Sequence, residues 1–158
     1  MPWLVEYNSV YYNFYNAKEM PQWIEQIGLA TSTDLRSWVR HTDNPILKVS
    51  SHRRNNTIVN GGYDTQFKSD AKVFWDDSES HWVMFYFGVG NGGAHIMVAF
   101  SYDLIHWVCD PIPLYMAGAN TSGLDKQHAH KNHLYVIIRM EYGTCFTVQW
   151  AMLGVVLV

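Results

Sequence analysis

The stretch Ala30-Thr-Ser-Thr-Asp-Leu-Arg-Ser-Trp-Val39 occurs twice in this chain, the second time 69 residues later as Ala99-Phe-Ser-Tyr-Asp-Leu-Ile-His-Trp-Val108. A Ser and an Asp two residues apart can accept hydrogen bonds from the backbone N–H groups of a tight turn. Two unrelated Ser/Asp turns are the alternative, but the identities at one constant offset indicate a structural repeat. The identical positions are Ala30/Ala99, Ser32/Ser101, Asp34/Asp103, Leu35/Leu104, Trp38/Trp107 and Val39/Val108.

The sequence around each copy predicts short strands, because each copy follows a run of aromatic and β-branched residues. We predict a four-stranded antiparallel unit over residues 1–42, a second such unit over residues 70–115, and half of a third unit over residues 123–152. Residues 43–69 form a polar connecting loop and residues 153–158 an apolar tail. No helical periodicity stands out, so the predicted class is all-β. Repeated four-stranded meanders with a shared turn predict a β-propeller, here an incomplete one of about two and a half blades.

Composition excludes several classes of protein. The 48% of hydrophobic residues is typical of a globular chain, and the net charge of -3 argues against nucleic acid as a partner. Cys109 and Cys145 form neither a disulfide framework nor a zinc pattern. No signal peptide and no membrane-spanning apolar run is visible, so we expect no membrane partner and a cytoplasmic location by default. Unclosed blade edges and the apolar tail predict self-association.

One segment of the second unit carries a resemblance to a known family. Ser69-Asp-Ala-Lys-Val-Phe-Trp75, followed by Trp82-Val-Met-Phe-Tyr86, resembles the second blade of the five-bladed propeller glycoside hydrolases. These are the β-fructosidases and invertases, with the related arabinanases and xylosidases, of families such as 32 and 43. Their motif is Arg-Asp-Pro-Lys-Val-Phe, in which this chain has Ser69 for Arg and Ala71 for Pro.

The first unit is similar to the first blade of the same superfamily. The similar segments are Tyr-Tyr-x-Phe-Tyr at 11–15 and Ile-Gly-Leu-Ala-Thr-Ser-x-Asp-Leu at 27–35, followed by Trp38. The resemblance covers most of residues 1–152, and it implies a five-bladed propeller whose active site lies in the central funnel.

The resemblance implies a site of three acidic positions, one from each of the first three blades. It gives Asp70 the second-blade role, which is to modulate acidity and hold the sugar. The first-blade acid, a nucleophile or base, is expected near Pro2, where this sequence has Met1. The third-blade acid falls in residues 123–131, where the usual glutamate is missing.

His128 and His130 occupy the third-blade position, and on an extended strand both would point to one face. One of them could act as the acid, bind a sugar hydroxyl or help to hold a structural metal ion in the funnel. We predict no other metal or cofactor. Asp125 is a weaker candidate for the acid and a candidate for binding substrate.

Three further residues are candidates for binding the sugar. Asp64 follows Gly61-Gly62-Tyr63 near the start of the second unit, and Trp3 and Trp75 could stack on a pyranose ring. Each candidate also has a structural alternative. Asp70 could cap a turn, the histidines could form ordinary hydrogen bonds in a polar loop, and a strand Trp commonly packs in a core.

Several functions are compatible with the predicted propeller and its candidate residues. The first is a glycoside hydrolase fragment that cleaves a glycosidic bond of an oligo- or polysaccharide by acid/base catalysis. A glycoside phosphorylase on the same scaffold is the second. A sialidase is a poorer match. The turns lack the Gly of the sialidase Asp-box, Ser-x-Asp-x-Gly-x-x-Trp, and the five Arg residues of the chain supply no obvious arginine triad for the substrate carboxylate. A carbohydrate-binding protein without catalysis is the fourth, and an upstream Asp just before Pro2 would favour the enzyme over it.

Overall fold

The computed structural model describes residues 2–49, 62–90 and 92–116, together with the backbone of four short strands at 53–54, 57–58, 136–139 and 147–150. The described chain is all-β, as the sequence predicted. Within these parts of the chain, no helix has the length and apolar character needed to cross a bilayer.

Eight strands form two antiparallel meanders of four strands each, which we call the first and second blade. The first blade consists of β1 (Trp3–Tyr7), β2 (Val10–Glu19), β3 (Ile24–Ser32) and β4 (Val39–Arg40). The second blade consists of β7 (Phe67–Asp76), β8 (His81–Gly90), β9 (Gly93–Ser101) and β10 (Val108–Cys109).

Two further strand pairs lie outside the blades. The segment that connects the blades, predicted as a polar loop, contains the antiparallel pair β5 (Arg53–Arg54) and β6 (Thr57–Ile58). Near the end of the chain, β11 (Val136–Arg139) pairs antiparallel with β12 (Thr147–Trp150).

The two blades repeat each other residue by residue around the fourth strand. Ala30 pairs with Arg40 in the first blade, and Ala99 pairs with Cys109 at the same offset in the second. Beyond the fourth strand, the chain returns to the third strand in both blades through isolated bridges. These bridges are Ile27 to Leu47 and Ile96 to Tyr115.

The Ser/Asp turns of the two blades also share their hydrogen bonds. The Ser32 hydroxyl accepts two backbone N–H bonds at 3.2 and 2.9 Å, and the equivalent bonds to Ser101 are 3.2 and 3.0 Å. Asp34 Oδ1 accepts two more at 2.8 and 2.7 Å, and Asp103 Oδ1 accepts two at 2.9 and 2.7 Å. The repeated phrase is therefore a turn in which two side chains satisfy four N–H groups.

The core lies between the two blades. The even-numbered Trp82, Met84 and Tyr86 of β8 enter this core, as do Ala71 and Val73 of β7, because side chains alternate along a strand. The largest cluster combines residues from both blades: Phe14, Ile27, Leu29, Leu47, Ala71, Val73, Trp82, Met84, Tyr86, Met97, Ala99 and Leu104. One parallel bridge, Glu25 to Phe67, also joins the blades into a single sheet.

The inner strand of the second blade differs from the prediction in one respect that bears on the site. Strand β7 begins at Phe67, three residues before Asp70, whereas the predicted second unit begins at residue 70. The ladder between β7 and β8 shifts register between Ser69 and Lys72. This β-bulge explains the error, because the strand continues on both sides of the irregular residues.

Candidate active site

Asp70 occupies the bulge in β7. Its φ is 55°, in the left-handed region that Asp tolerates better than most residues. The residue is half-buried. A bulge redirects a side chain relative to the regular alternation of the strand, and bulges are over-represented beside active sites.

Asn16 of the first blade fixes the position of Asp70. The Asn16 side-chain amide donates from Nδ2 to Asp70 Oδ1 at 3.1 Å, and its Oδ1 accepts from the Asp70 backbone N–H at 3.0 Å. The bulge removes Asp70 from the regular ladder with β8, and Asn16 supplies a partner for its N–H group. The conformation of Asp70 therefore depends on a residue of the other blade.

Contacts between β1 and β7 show that the inner strands of the two blades run side by side. Trp3 donates from its indole Nε1 to the Val73 carbonyl oxygen at 2.8 Å, and its ring lies 5.3 Å from that of Phe74. The Lys72 ammonium lies 4.5 Å from the centre of the Trp3 ring. Trp3, predicted to stack on a sugar, is thus half-buried in the contact between the blades.

Trp75 lies at the other end of β7 from Asp70. Five residues of extended chain separate them, a distance of about 17 Å. The Trp75 ring is 39% exposed and packs edge to face on Trp82 at 5.1 Å, and Trp82 in turn contacts Tyr7 at the end of β1. The structure therefore places Trp75 far from Asp70, near the other end of the strand.

Asp64 is buried in a polar cluster beneath the same blade. Its Oδ2 accepts from the Tyr86 hydroxyl at 2.7 Å and pairs with the Lys68 ammonium at 2.9 Å. Lys68 in turn donates to the Cys109 sulfur at 3.3 Å. Burial is the largest cause that holds the pKa of Tyr86 far above its usual value, and the neighbouring Cys109 and Asp64 add to it, so the Tyr86 hydroxyl stays protonated and donates.

Glycines allow the loop that carries Asp64 to approach β8. A Cβ at Gly90 would clash with the Gly62 carbonyl oxygen, and one at Gly88 would lie 2.6 Å from Met97 Cγ and 2.9 Å from Asp64 Cβ. The described residues Gly62, Tyr63 and Asp64 therefore dock closely on the sheet.

The remaining predicted site residues, His128, His130 and Asp125, lie outside the described residues. Their proximity to Asp70 stays a prediction. Among residues 2–49, 62–90 and 92–116, no group of three or more His, Cys, Asp or Glu side chains is arranged to hold a metal ion.

Solved structures of several carbohydrate-active proteins have a similar fold. A glycosyl hydrolase from Bacteroides ovatus matches with a TM-score of 0.54 and 21% identity over 68% of this chain and 30% of its own. The β-fructofuranosidase of Bombyx mori, of family GH32, matches with a TM-score of 0.50 and 20% identity over 68% of this chain and 21% of its own.

A third match is a structure from the GH130 family of mannoside phosphorylases, described as containing glycoside hydrolases that target β-1,2-mannosidic linkages in Candida mannan. Its TM-score is 0.57 at 16% identity, over 80% of this chain and 34% of its own. The fold is that of the glycosidase propellers. The described blades have the fold of part of such a propeller, and the chain spans between about a fifth and a third of the length of these three structures.

Sequence comparisons find no relatives beyond this structural likeness. No family model matches the chain, and no curated protein matches it.

The sequence analysis missed the residues that hold the two aspartates. Asn16 follows the aromatic run of β2, which was interpreted only as the signal of a strand. Lys68 and Tyr86 lie in segments that were interpreted only by their hydrophobic pattern. The only sequence signal for the Asp64 ion pair was a Lys four residues after an Asp, because the burial of Lys68 is visible only in the structure.

Proposed function

We propose that this glycosidase-type propeller segment binds a carbohydrate at the rim that Asp70 and Asn16 form, and that Asp70 serves there in the cleavage of a glycosidic bond. The observation that supports the proposal is the carboxylate of the half-buried Asp70 on a bulge of an inner strand, held by a reciprocal pair of hydrogen bonds. A carboxylate fixed in this way can accept hydrogen bonds from sugar hydroxyls without reorganising.

The chemistry of glycoside cleavage defines the role that Asp70 would take. Cleavage needs one group that protonates the leaving oxygen and a second that acts on the other side of the anomeric carbon. Asp70 is proposed to hold the sugar and to raise the pKa of the acid through its negative charge. The acid itself is proposed to be His128 or His130, with Asp125 as the weaker candidate.

Binding is the first test, because it requires no assumption about the other blades. Arrays of immobilised oligosaccharides and polysaccharides are probed with the unchanged chain and with the variants Asp70→Asn and Asp77→Asn. Asp77→Asn is the matched control, because Asp77 is an exposed turn residue at the other end of β7. Asn at position 70 keeps an oxygen that can accept from Asn16, so the fold is retained while the charge is lost. We expect array signals that Asp70→Asn abolishes and Asp77→Asn preserves. Equal signals from all three proteins would contradict the site.

Turnover of the polysaccharides that bind separates the candidate activities. Release of reducing ends in buffer alone indicates a hydrolase, and release of a sugar phosphate only when inorganic phosphate is added indicates a phosphorylase. Binding without release indicates a carbohydrate-binding module. The similarity in fold to the GH130 structure is the reason for testing added phosphate. A chain that neither binds nor cleaves any of the oligosaccharides and polysaccharides would contradict the proposed function.

A further inference from the structure

A second feature of the described chain is the turn of residues 20–23, which joins β2 to β3 in the first blade. Strand β2 ends three residues after Asn16, so this turn lies about 10 Å beyond the Asn16–Asp70 pair along the strand. The bridge of Glu25 to Phe67 is parallel, so β3 and β7 begin at the same end of the sheet. The turn therefore lies at the end of the blades that is nearer to Asp70.

Trp23 is the last residue of this turn and is 58% exposed. The Lys18 ammonium lies 5.3 Å from the centre of the Trp23 ring, and the Glu25 carboxylate lies 3.8 Å from the same ammonium. Lys18 lies over one face of the ring, and the exposure of the residue leaves the other face for contact with a ligand. Trp23 therefore presents a flat apolar surface to solvent beside the Asp70 rim.

The repeat shows that the fold does not require an aromatic ring at this place. The offset of 69 residues that relates Ile27 to Ile96, which form equivalent bridges, also relates Trp23 to Gly92. Each of these two residues directly precedes the third strand of its blade, and both have a left-handed backbone, with φ of 56° at Trp23 and 80° at Gly92. Glycine adopts this conformation without steric cost, whereas a bulky residue does so rarely. The strained Trp of the first blade therefore indicates a role of its ring outside the fold.

We propose that Trp23 is the stacking platform of an outer subsite, so that the rim takes a chain of several sugar units rather than a single sugar. This inference rests on the proposed binding of carbohydrate at Asp70. A sugar ring has an apolar face of C–H groups, and an exposed indole offers a broad flat surface on which that face can pack. The distance of about 10 Å along β2 exceeds the width of one sugar ring. A saccharide held at Asp70 therefore reaches Trp23 with a later unit of the same chain.

The test measures affinity as a function of saccharide length by isothermal titration calorimetry. The probes are gluco-, xylo-, arabino-, manno- and fructo-oligosaccharides, each from the monosaccharide to the hexasaccharide. Trp23→Gly copies the second blade and fits the left-handed backbone, so the fold is retained, with far-ultraviolet circular dichroism as the check. Tyr102→Ala is the control, because Tyr102 is a 78% exposed aromatic residue that follows Ser101, the partner of Trp82 at the other end of the strands.

We expect Trp23→Gly to weaken binding of the longer saccharides about tenfold and to leave the shortest bound saccharide within about twofold of the parent. Tyr102→Ala should stay within about twofold of the parent at every length. If Trp23→Gly matched the parent at every length while Asp70→Asn abolished binding, the subsite would be refuted and the proposed function would stand. A loss of equal size at every length would also refute an outer subsite. If the parent bound none of the saccharides, the proposed function would fail and the subsite with it.

Discussion

Asn16 and Asp70 are 54 residues apart in the sequence and exchange two hydrogen bonds across the boundary between the blades. The pair couples the integrity of the candidate site to the packing of one blade on the other. A substitution at Asn16 therefore tests both stability and function.

Asn16→Ala is expected to lower the free energy of unfolding by about 1–3 kcal/mol, because it leaves the Asp70 N–H group and carboxylate partly unsatisfied. The control is Asn13→Ala on the opposite face of the same strand, with a change below about 1 kcal/mol. Chemical denaturation measures both. Equal effects of the two substitutions would show that the Asn16 bonds contribute nothing specific.

The polar cluster under the second blade gives a second prediction. Tyr86→Phe removes the hydroxyl that donates to Asp64 at 2.7 Å and leaves a buried carboxylate with one partner fewer, at a cost of about 1–3 kcal/mol. Tyr102 is 78% exposed, so Tyr102→Phe should be neutral within about 0.5 kcal/mol. A Tyr86→Phe protein as stable as the parent would contradict this role of the hydroxyl.

Close packing of the Asp64 loop predicts a graded effect of two glycine substitutions. Gly90→Ala would press a Cβ against the backbone oxygen of Gly62, whereas Gly88→Ala would meet the Met97 and Asp64 side chains, of which Met97 can adjust. We expect Gly90→Ala to cost about 1–3 kcal/mol or more and Gly88→Ala to cost less. Thermal unfolding measures the order, and a reversed order would contradict the loop placement.

The repeated turns predict a pH dependence at low pH. Backbone N–H groups of Ser37 and Arg36, with the Ser32 hydroxyl, lower the pKa of Asp34 from 3.8 to about 2. A carboxyl whose pKa is lower in the folded state stabilises the fold above its unfolded pKa and loses that contribution as the pH falls from about 4 to 2. Asp34→Asn should therefore lose less stability than the parent over this window, as followed by urea unfolding. If the free energies of unfolding of the parent and of Asp34→Asn fell by the same amount over this pH range, the result would contradict the contribution of the Asp34 turn.

His106 in the second turn replaces Ser37 of the first, and this difference predicts a separate effect near neutral pH. His106 donates from Nδ1 to Asp103 Oδ2 at 2.6 Å, and this bond raises the pKa of His106. A histidine with a raised pKa stabilises the fold below its unfolded value of 6.5 and loses the contribution as the pH rises through the folded value. His106→Ser, which copies the first turn, should show less loss of stability between about pH 6 and 8. An equal loss of stability in His106→Ser and in the parent would contradict this role of the His106 bond to Asp103.

The repeated phrase, with the strand signals around it, was sufficient to predict the all-β propeller class. The turns themselves could be predicted because Ser32 and Ser101 organise them through contacts within a few residues. Long-range contacts were harder to predict. The bulge at Asp70 depends on Asn16 in another blade, and the Asp64 ion pair depends on a loop folding back onto β8. Trp3 and Trp75 could be assigned to strands, but the contact of Trp3 with β7 and that of Trp75 with Trp82 depend on how the strands pack. The placements of His128, His130 and Asp125 stay predictions, as does self-association through the blade edges.

The central claim is that carbohydrate binds at the Asp70 rim, and nuclear magnetic resonance of the ¹⁵N-labelled chain tests it most directly. An oligosaccharide that the array identifies is titrated into the protein while backbone amide and Asn side-chain signals are followed. The account predicts that the largest shifts occur at the Asp70 amide and the Asn16 side chain, and that Asp70→Asn removes them. Shifts centred on Trp75 and Trp82 at the opposite end of β7, unchanged in Asp70→Asn, would contradict it.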